Sequence, residues 1–329
     1  MPDKKIIVEK LENYALDKSK KPKAEFAEIG IVGCGTVGQQ LAIMISSRGM
    51  NVVFIELSQE KIEQAFREIE KELDRRINHW GITPSEKRAI MSRIRGSVDY
   101  ADLKNCDLVI EAILSKTREK SKEHRKEVFK KIEKYVSPHT VIATNSTTIA
   151  ITELASVLEH PERCISMHIS TTSPDASLVE VVKSFYTSEE TCANVRKFAI
   201  LIGKNFIRVA ESPGLITVRL FAPFINEACD ILMQGVGDLE KIDFAARKSM
   251  NLPLGPFEMA DKIGIDKVVR WLDNMYEEFG DKRYKASPIL RRLVRAGHLG
   301  RKTLVGFYKY NEYEEKTGVA FRHWIEENI

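Results

Sequence analysis

The chain has 329 residues, more than a single small core usually holds, so two domains are expected. Its formal net charge of +4 is small and evenly spread, which argues against a nucleic-acid partner. No run approaches the roughly eighteen apolar residues of a membrane span, and Met1-Pro-Asp-Lys-Lys opens no signal-peptide core, so neither a membrane nor a secreted protein is expected.

Residues 1–25 carry a short amphipathic pattern followed by Lys18-Ser-Lys-Lys-Pro-Lys, and read as an N-terminal extension of helix and linker. The chemistry begins at Ile29. Residues 29–38 read Ile-Gly-Ile-Val-Gly-Cys-Gly-Thr-Val-Gly: a short strand, a Gly-x-Gly-x-x-Gly turn, then a helical pattern. Gly33 permits the tight turn, Gly35 lets backbone approach a pyrophosphate, and Gly38 lets helix and strand pack closely. With Thr36 and Val37 they place free N–H groups at a helix start, where negative charge is favoured. A second strand, Asn51-Val-Val-Phe-Ile, ends in Glu56, about twenty residues after the glycines. A carboxylate there accepts from both ribose hydroxyls of NAD. It would repel the 2′-phosphate of NADP by roughly 4 kcal/mol at about 4 Å and an effective dielectric near 20, before screening. No arginine follows at once, so the cofactor expected is NAD.

From Ile29 to about Val209 strand and helix patterns alternate. Strands are expected at 29–33, 51–56, 107–111, 140–144, 163–168, 177–183 and 205–209, with helices at about 58–79, 85–95 and 118–135. This is the pattern of a mostly parallel, doubly wound α/β sheet of Rossmann type, spanning residues 26–211. The charged stretch between Leu114 and Val128 reads as a solvated helix face. After Ser212-Pro213-Gly214 the strand pattern stops, and residues 212–329 read as an all-helical domain for substrate binding and dimerisation. Cys34, Cys106, Cys164, Cys192 and Cys229 are odd in number and set in apolar patterns, as reduced packing residues of a cytoplasmic protein. The seven histidines include no pair at metal-ligand spacing, so no metal is expected.

Between these halves lie the reactive side chains. Thr144-Asn145-Ser146-Thr147-Thr148 gathers hydroxyls and an amide at a strand's carboxyl end, where open α/β sheets bind ligands. His168 ends the strand Cys164-Ile-Ser-Met-His, and Glu180 interrupts the apolar run Leu178-Val-Glu-Val-Val. A carboxylate in an apolar strand is costly unless paired, and a neighbouring histidine is a suitable partner. So paired, Glu180 would set the imidazole tautomer and leave the other ring nitrogen as a base for an alcohol proton. A purely structural His–Glu pair satisfies the same spacing.

At this point the chain resembles the L-3-hydroxyacyl-CoA dehydrogenase family, particularly its 3-hydroxybutyryl-CoA members. Beyond the glycine loop, the motifs are Asp107-Leu-Val-Ile-Glu-Ala, the 144–148 segment, His168 with Leu-Val-Glu180-Val and Ser212-Pro-Gly. Further along come Pro253-Leu-Gly-Pro-Phe-Glu-Met-Ala-Asp, Gly297-His-Leu-Gly-Arg-Lys-Thr and Gly306-Phe-Tyr-Lys-Tyr. The resemblance implies a homodimer with acyl-CoA in the cleft between its domains, and a place in fatty acid metabolism. It assigns general base to His168, its orientation to Glu180, and a hydroxyl touching substrate and nicotinamide to Thr147. Glu111, Asn145 and Lys302 join the cofactor side. Three positions depart from the family pattern: Thr171 and Val218 stand where substrate-side amides are usual, and Ser115 where an acid is usual. A buried polar group left without its partner costs about 1–3 kcal/mol. The departures therefore admit two alternatives to a 3-hydroxyacyl-CoA dehydrogenase: a dehydrogenase of free 3-hydroxy or sugar acids, and a dinucleotide-binding protein with weakened catalysis.

Overall fold

The structure, a computed structural model, describes residues 26–78, 81–113, 118–147, 149–169 and 177–320. The expected N-terminal helix, Ser115, Thr148 and Thr171 with its polar loop lie outside the described residues.

An eight-stranded sheet forms the first half of the chain. Its strands are β1 (Glu28–Val32), β2 (Asn51–Ile55), β3 (Ile94–Ser97), β4 (Leu108–Glu111), β5 (Val141–Thr144), β6 (Cys164–Ile169), β7 (Leu178–Lys183) and β8 (Asn205–Arg208), in spatial order β3-β2-β1-β4-β5-β6-β7-β8. The first six are mutually parallel in the 3-2-1-4-5-6 order of a dinucleotide-binding sheet. Strand β7 then runs antiparallel to β6, with β8 parallel to β7. Alternation of side chains along each strand divides the apolar residues between two faces. Ile29, Ile31, Val52 and Phe54 pack with Leu41 of α1 (Thr36–Ser46), Ile62 of α2 (Gln59–Asn78) and Phe198 of α6 (Glu189–Leu201). Val53, Val109 and Ile142 pack oppositely with Phe129 and Ile132 of α4 (Arg118–Tyr135) and Leu154 of α5 (Ile151–Ala155).

One expected helix is shorter than its pattern. In place of a helix over 85–95, α3 covers Pro84–Met91 and β3 follows at Ile94–Ser97. Strand β3 is a sheet edge of four residues with little alternation. It fits because Gly96 lies under Phe54 and Ile62, where a Cβ would meet the Phe54 ring at 2.7 Å.

The second half contains α7 (Thr217–Met233), α8 (Leu239–Met250), α9 (Pro256–Ile263), α10 (Ile265–Phe279) and α11 (Pro288–Arg295), around a core of their own. The chain passes between cores within four residues: Leu215 packs under the sheet, and Val218 belongs to the helical core. Gly214 (φ +85°) makes this crossing possible, since a Cβ there would meet Met275 Sδ at 2.6 Å. The all-helical expectation needs correction at its end, where β9 (Tyr308–Tyr310) and β10 (Lys316–Val319) form an antiparallel hairpin. Tyr308 and Tyr310 alternate inward, a period of two that no helix uses.

Buried Asp261 holds this hairpin. It accepts from Phe307 N–H (2.8 Å), Tyr308 N–H (2.9 Å) and the Tyr310 hydroxyl (2.9 Å), and burial pushes its carboxyl up to about 7. Asp243 does the same for the start of α9, accepting from Phe257 N–H and Glu258 N–H and from the Tyr308 hydroxyl. Replacing Asp261 by Ala strands two buried N–H groups and a hydroxyl, so urea unfolding should show a loss of about 3 kcal/mol or more. A loss below about 1 kcal/mol would mean the hairpin does not depend on this carboxylate.

Candidate active site

The carboxyl ends of the parallel strands share one edge of the sheet, and the expected cofactor residues other than Lys302 follow those strands. Gly33 turns at φ +93°, and a Cβ on Gly38 would run into the Gly33 carbonyl, so α1 starts hard against β1. Gly35 is the N-cap of α1 with no side-chain cap, and a Cβ built on it meets nothing within 4 Å. The first-turn N–H groups, those of Thr36 and Val37 among them, have no acceptor within the helix. Open space in front of unsatisfied donors is what a pyrophosphate needs, so these residues fit the expected dinucleotide. Glu56 follows β2 and already accepts from Cys34 N–H (2.6 Å) inside the glycine loop. Its carboxylate thus braces the loop from the end of β2.

Glu111 is placed differently from the expectation that it contacts the cofactor. It is fully buried at the end of β4 and accepts from Ile113 N–H (2.7 Å), Thr144 Oγ1 (2.6 Å) and the Arg125 guanidinium (3.0 and 3.1 Å). Both oxygens are occupied by the protein, so Glu111 joins β4, β5 and α4 beneath the cleft. Its partner Arg125 comes from the charged stretch read as a solvated face, yet it is buried. A single arginine among surface lysines leaves no mark in the pattern; only the buried acid opposite identifies it.

Asn145 and Thr147 follow β5. The Asn145 side chain accepts from Ile169 N–H (2.9 Å), tying β5 to the strand that bears His168. Thr147 is buried, and its carbonyl accepts from Gly214 N–H (2.7 Å), which fixes the interdomain crossing against the site.

His168 and Glu180 are direct cross-strand partners in the β6–β7 register, and both are buried. The expected bond between them is absent. Glu180 Oε1 instead accepts from Ile216 N–H (2.9 Å) and Thr217 N–H (3.0 Å) at the start of α7. Glu180 Oε2 and His168 Nδ1 are both buried without a partner. The reason is competition: the open end of α7 offers two donors and a positive dipole end to the same carboxylate. Burial, and then the Lys267 ammonium, push the imidazole down to about 4, while the Asn145 carbonyl pulls it back upward. His168 is therefore neutral at pH 7, able to accept a proton. Val218, in the first turn of α7, is 1% exposed and packs into the helical core, one residue after the Thr217 N–H that Glu180 binds.

On the helical side Lys302 binds Asp266 (2.5 Å), and Asp266 also faces Arg270 at 3.6 Å. Lys267, one residue after Asp266, was not singled out by the sequence pattern. It is half-buried, its Nζ lies over the Trp271 ring at 5.0 Å, and burial lowers it to about 8. Arg219, next to Val218, reaches Ser212 Oγ (3.1 Å) and stacks over Phe279, locking the crossing to α10. Among the described residues, no group of three or more His, Cys, Asp or Glu side chains is placed to hold a metal ion.

Glu180 thus holds the helical domain as well as facing the histidine. Glu180→Ala, which strands the Ile216 and Thr217 N–H groups, should cost about 1–3 kcal/mol of stability in urea unfolding. Glu180→Gln keeps an acceptor and should lose less than half as much; equal losses would show that α7 does not use this oxygen.

Two family models cover the chain in turn: the NAD binding domain of 3-hydroxyacyl-CoA dehydrogenase over residues 28–212, and the C-terminal domain of the same family over residues 214–310. The chain is 35% identical over 285 residues to 3-hydroxybutyryl-CoA dehydrogenase of Clostridioides difficile, covering 87% of this chain and all of that protein. Among solved structures, FadB2 of Mycobacterium tuberculosis superposes with a TM-score of 0.80 at 29% identity, covering 87% of this chain and 99% of that one. The (S)-3-hydroxybutyryl-CoA dehydrogenase PaaH1 of Ralstonia eutropha superposes at 0.74 with 35% identity, covering 87% and 100%. With both of its domains matched in order and a full-length relative at 35% identity, the chain belongs to the 3-hydroxyacyl-CoA dehydrogenase family.

Proposed function

We propose that this protein is an NAD-dependent dehydrogenase that interconverts 3-hydroxyacyl-CoA and 3-oxoacyl-CoA, with short-chain substrates of the 3-hydroxybutyryl-CoA type. The observation that carries the reading is His168: a neutral, buried imidazole with an unpartnered Nδ1, at the sheet edge that also bears the glycine loop. When bound, NAD supplies the hydride acceptor. His168 takes the 3-hydroxyl proton in oxidation and returns it in reduction, help worth about 10²–10⁴ in rate. Glu180 Oε2, facing His168 across the strand pair, is the acceptor for an Nδ1 proton once the imidazole becomes charged. Thr147 presents its hydroxyl to the substrate side, and Val218 makes the neighbouring wall apolar. Thr171 is assigned to the substrate loop from the resemblance alone. Gly33, Gly35, Thr36, Val37, Gly38 and Glu56 hold the dinucleotide, Asn145 and Lys302 flank it, and Glu111 supports the wall from beneath.

The family match and the Clostridioides difficile relative favour this reading over a free hydroxy acid substrate or a non-catalytic binder. The five cysteines are all free and buried, as suits a reducing compartment such as the cytoplasm, and no helix among the described residues is long and apolar enough to cross a membrane. Exposed Leu220, Phe244 and Met250 on the helical domain support a homodimer through that domain, which light scattering would register as twice the 37.5 kDa chain mass.

Purified protein should oxidise NADH with acetoacetyl-CoA and not with free acetoacetate, and NADPH should not replace NADH. His168→Ala should lower turnover at least about 100-fold while NADH still binds; full turnover in that variant would remove His168 from the chemistry. Because the base must be neutral and burial lowers its titration to about 4, alcohol oxidation at pH 5.5 should stay within about twofold of its pH 7 rate. A rate that falls away through pH 6.5 would show an ordinary histidine.

A further inference from the structure

The helical domain carries a cavity of its own. It encloses about 640 Å³ between α7 and the segment that leads from the 3₁₀ turn Lys282–Tyr284 into α11. Nine residues of α7, about 13 Å of helix, separate Asn226 on its wall from Thr217, whose N–H Glu180 binds. Six lysine and arginine side chains line the cavity against two acids, a formal balance of +4. Arg291 is engaged by Asp273 (2.5 Å) and Arg283 by Asp281 (2.7 Å), which leaves +2. Lys282, Lys285 and Arg295 are exposed, and among the described residues none of the three has an ion-pair partner. The floor is polar and fixed. Buried Asn226 donates to the Lys285 carbonyl (3.0 Å) and accepts from Ser287 N–H (2.8 Å), which pins Lys285 and the start of α11 to α7. Ser287 stands at the N-cap of α11 without a side-chain bond to its first turn, so the N–H groups of that turn have no acceptor within the helix.

This volume falls in the range of roughly 300–1,000 Å³ that holds an organic ligand, and a single inorganic ion would not fill it. Unpaired cations on one side favour an anion. Glu227 and Asp230, on the α7 side, would repel a ligand that is anionic throughout. The ligand that suits both walls has phosphates at one end and hydroxyl or amino donors at the other. We propose that this cavity is a second nucleotide site, taking the phosphates of a free nucleoside di- or triphosphate on Lys282, Lys285 and Arg295, and its sugar or base donors on Glu227 and Asp230. It uses no residue of the glycine loop. Because Asn226 already holds the loop that bears Lys285, little ordering is left for the ligand to induce, which favours binding.

The test is calorimetric titration of ADP into protein saturated with NADH, which keeps the glycine loop filled. The wild type should take up one ADP per chain. A triple variant, Lys282→Gln with Lys285→Gln and Arg295→Gln, should bind ADP at least about tenfold more weakly, since three charges that face its phosphates are gone. Unchanged NADH affinity in that variant is the check on folding. Raising the salt from about 0.05 M to about 0.5 M should weaken ADP in the wild type and much less in the variant. Inorganic pyrophosphate should bind more weakly than ADP, and the KM for acetoacetyl-CoA should stay within about twofold in the variant. No uptake of ADP beside NADH, or an affinity that the triple variant keeps within about twofold, would overturn the proposal. Pyrophosphate bound as tightly as ADP would overturn the nucleotide assignment, and a KM for acetoacetyl-CoA that rises about tenfold would make the cavity part of the substrate site instead. Should NADH itself not bind, the dinucleotide reading falls, and the difference between wild type and triple variant still decides this one.

Discussion

One carboxylate joins the two halves of this molecule. Glu180 lies on β7, inside the sheet, and its Oε1 accepts the first two N–H groups around the start of α7, the helix on which the second domain begins. The same side chain faces His168 in register. A buried carboxylate is tolerable only if donors compensate its lost hydration, and here the donors are the open end of a helix. The consequence is that the position of the helical domain and the field at the histidine share one group. Any rotation of α7 that releases Oε1 changes what Glu180 offers to His168, and any proton arriving on His168 competes for the charge that holds α7.

Three other buried acids follow a similar rule. Glu111, Asp243 and Asp261 each receive two or more donors from separate segments, and each sits where chain far apart in sequence must meet. Asp261 fixes the hairpin and Asp243 the start of α9. Both come from or contact the motifs Pro253-Leu-Gly-Pro-Phe-Glu-Met-Ala-Asp and Gly306-Phe-Tyr-Lys-Tyr. Those motifs are therefore architectural in large part: they shape the helical wall of the cleft without supplying its reactive atoms.

This division explains what could be read in advance. The glycine loop, its strand and Glu56 were legible because each residue type answers a local backbone demand. His168 and Glu180 were legible because polar residues interrupt apolar strands. The partner of Glu180 was not, since the donors are backbone N–H groups and carry no residue identity. Arg125 was hidden among like charges, and strand β3 was too short for alternation to show. The hairpin was missed because only Tyr308 and Tyr310 alternate, at the end of a long helical pattern.

Lys267 was invisible for a deeper reason. Its sequence neighbourhood, Gly-Ile-Asp-Lys-Val-Val-Arg, looks like an ordinary helix start with acid and base side by side. Adjacent residues on a helix do not face each other, however. Asp266 turns to Lys302 and Arg270, and the lysine beside it is left over the Trp271 ring. Charge balance in a sequence window and charge balance in a cleft are thus separate quantities. Among the described residues, a stretch of balanced charge leaves Lys267 on the face of Trp271 while the acid beside it serves two other cations.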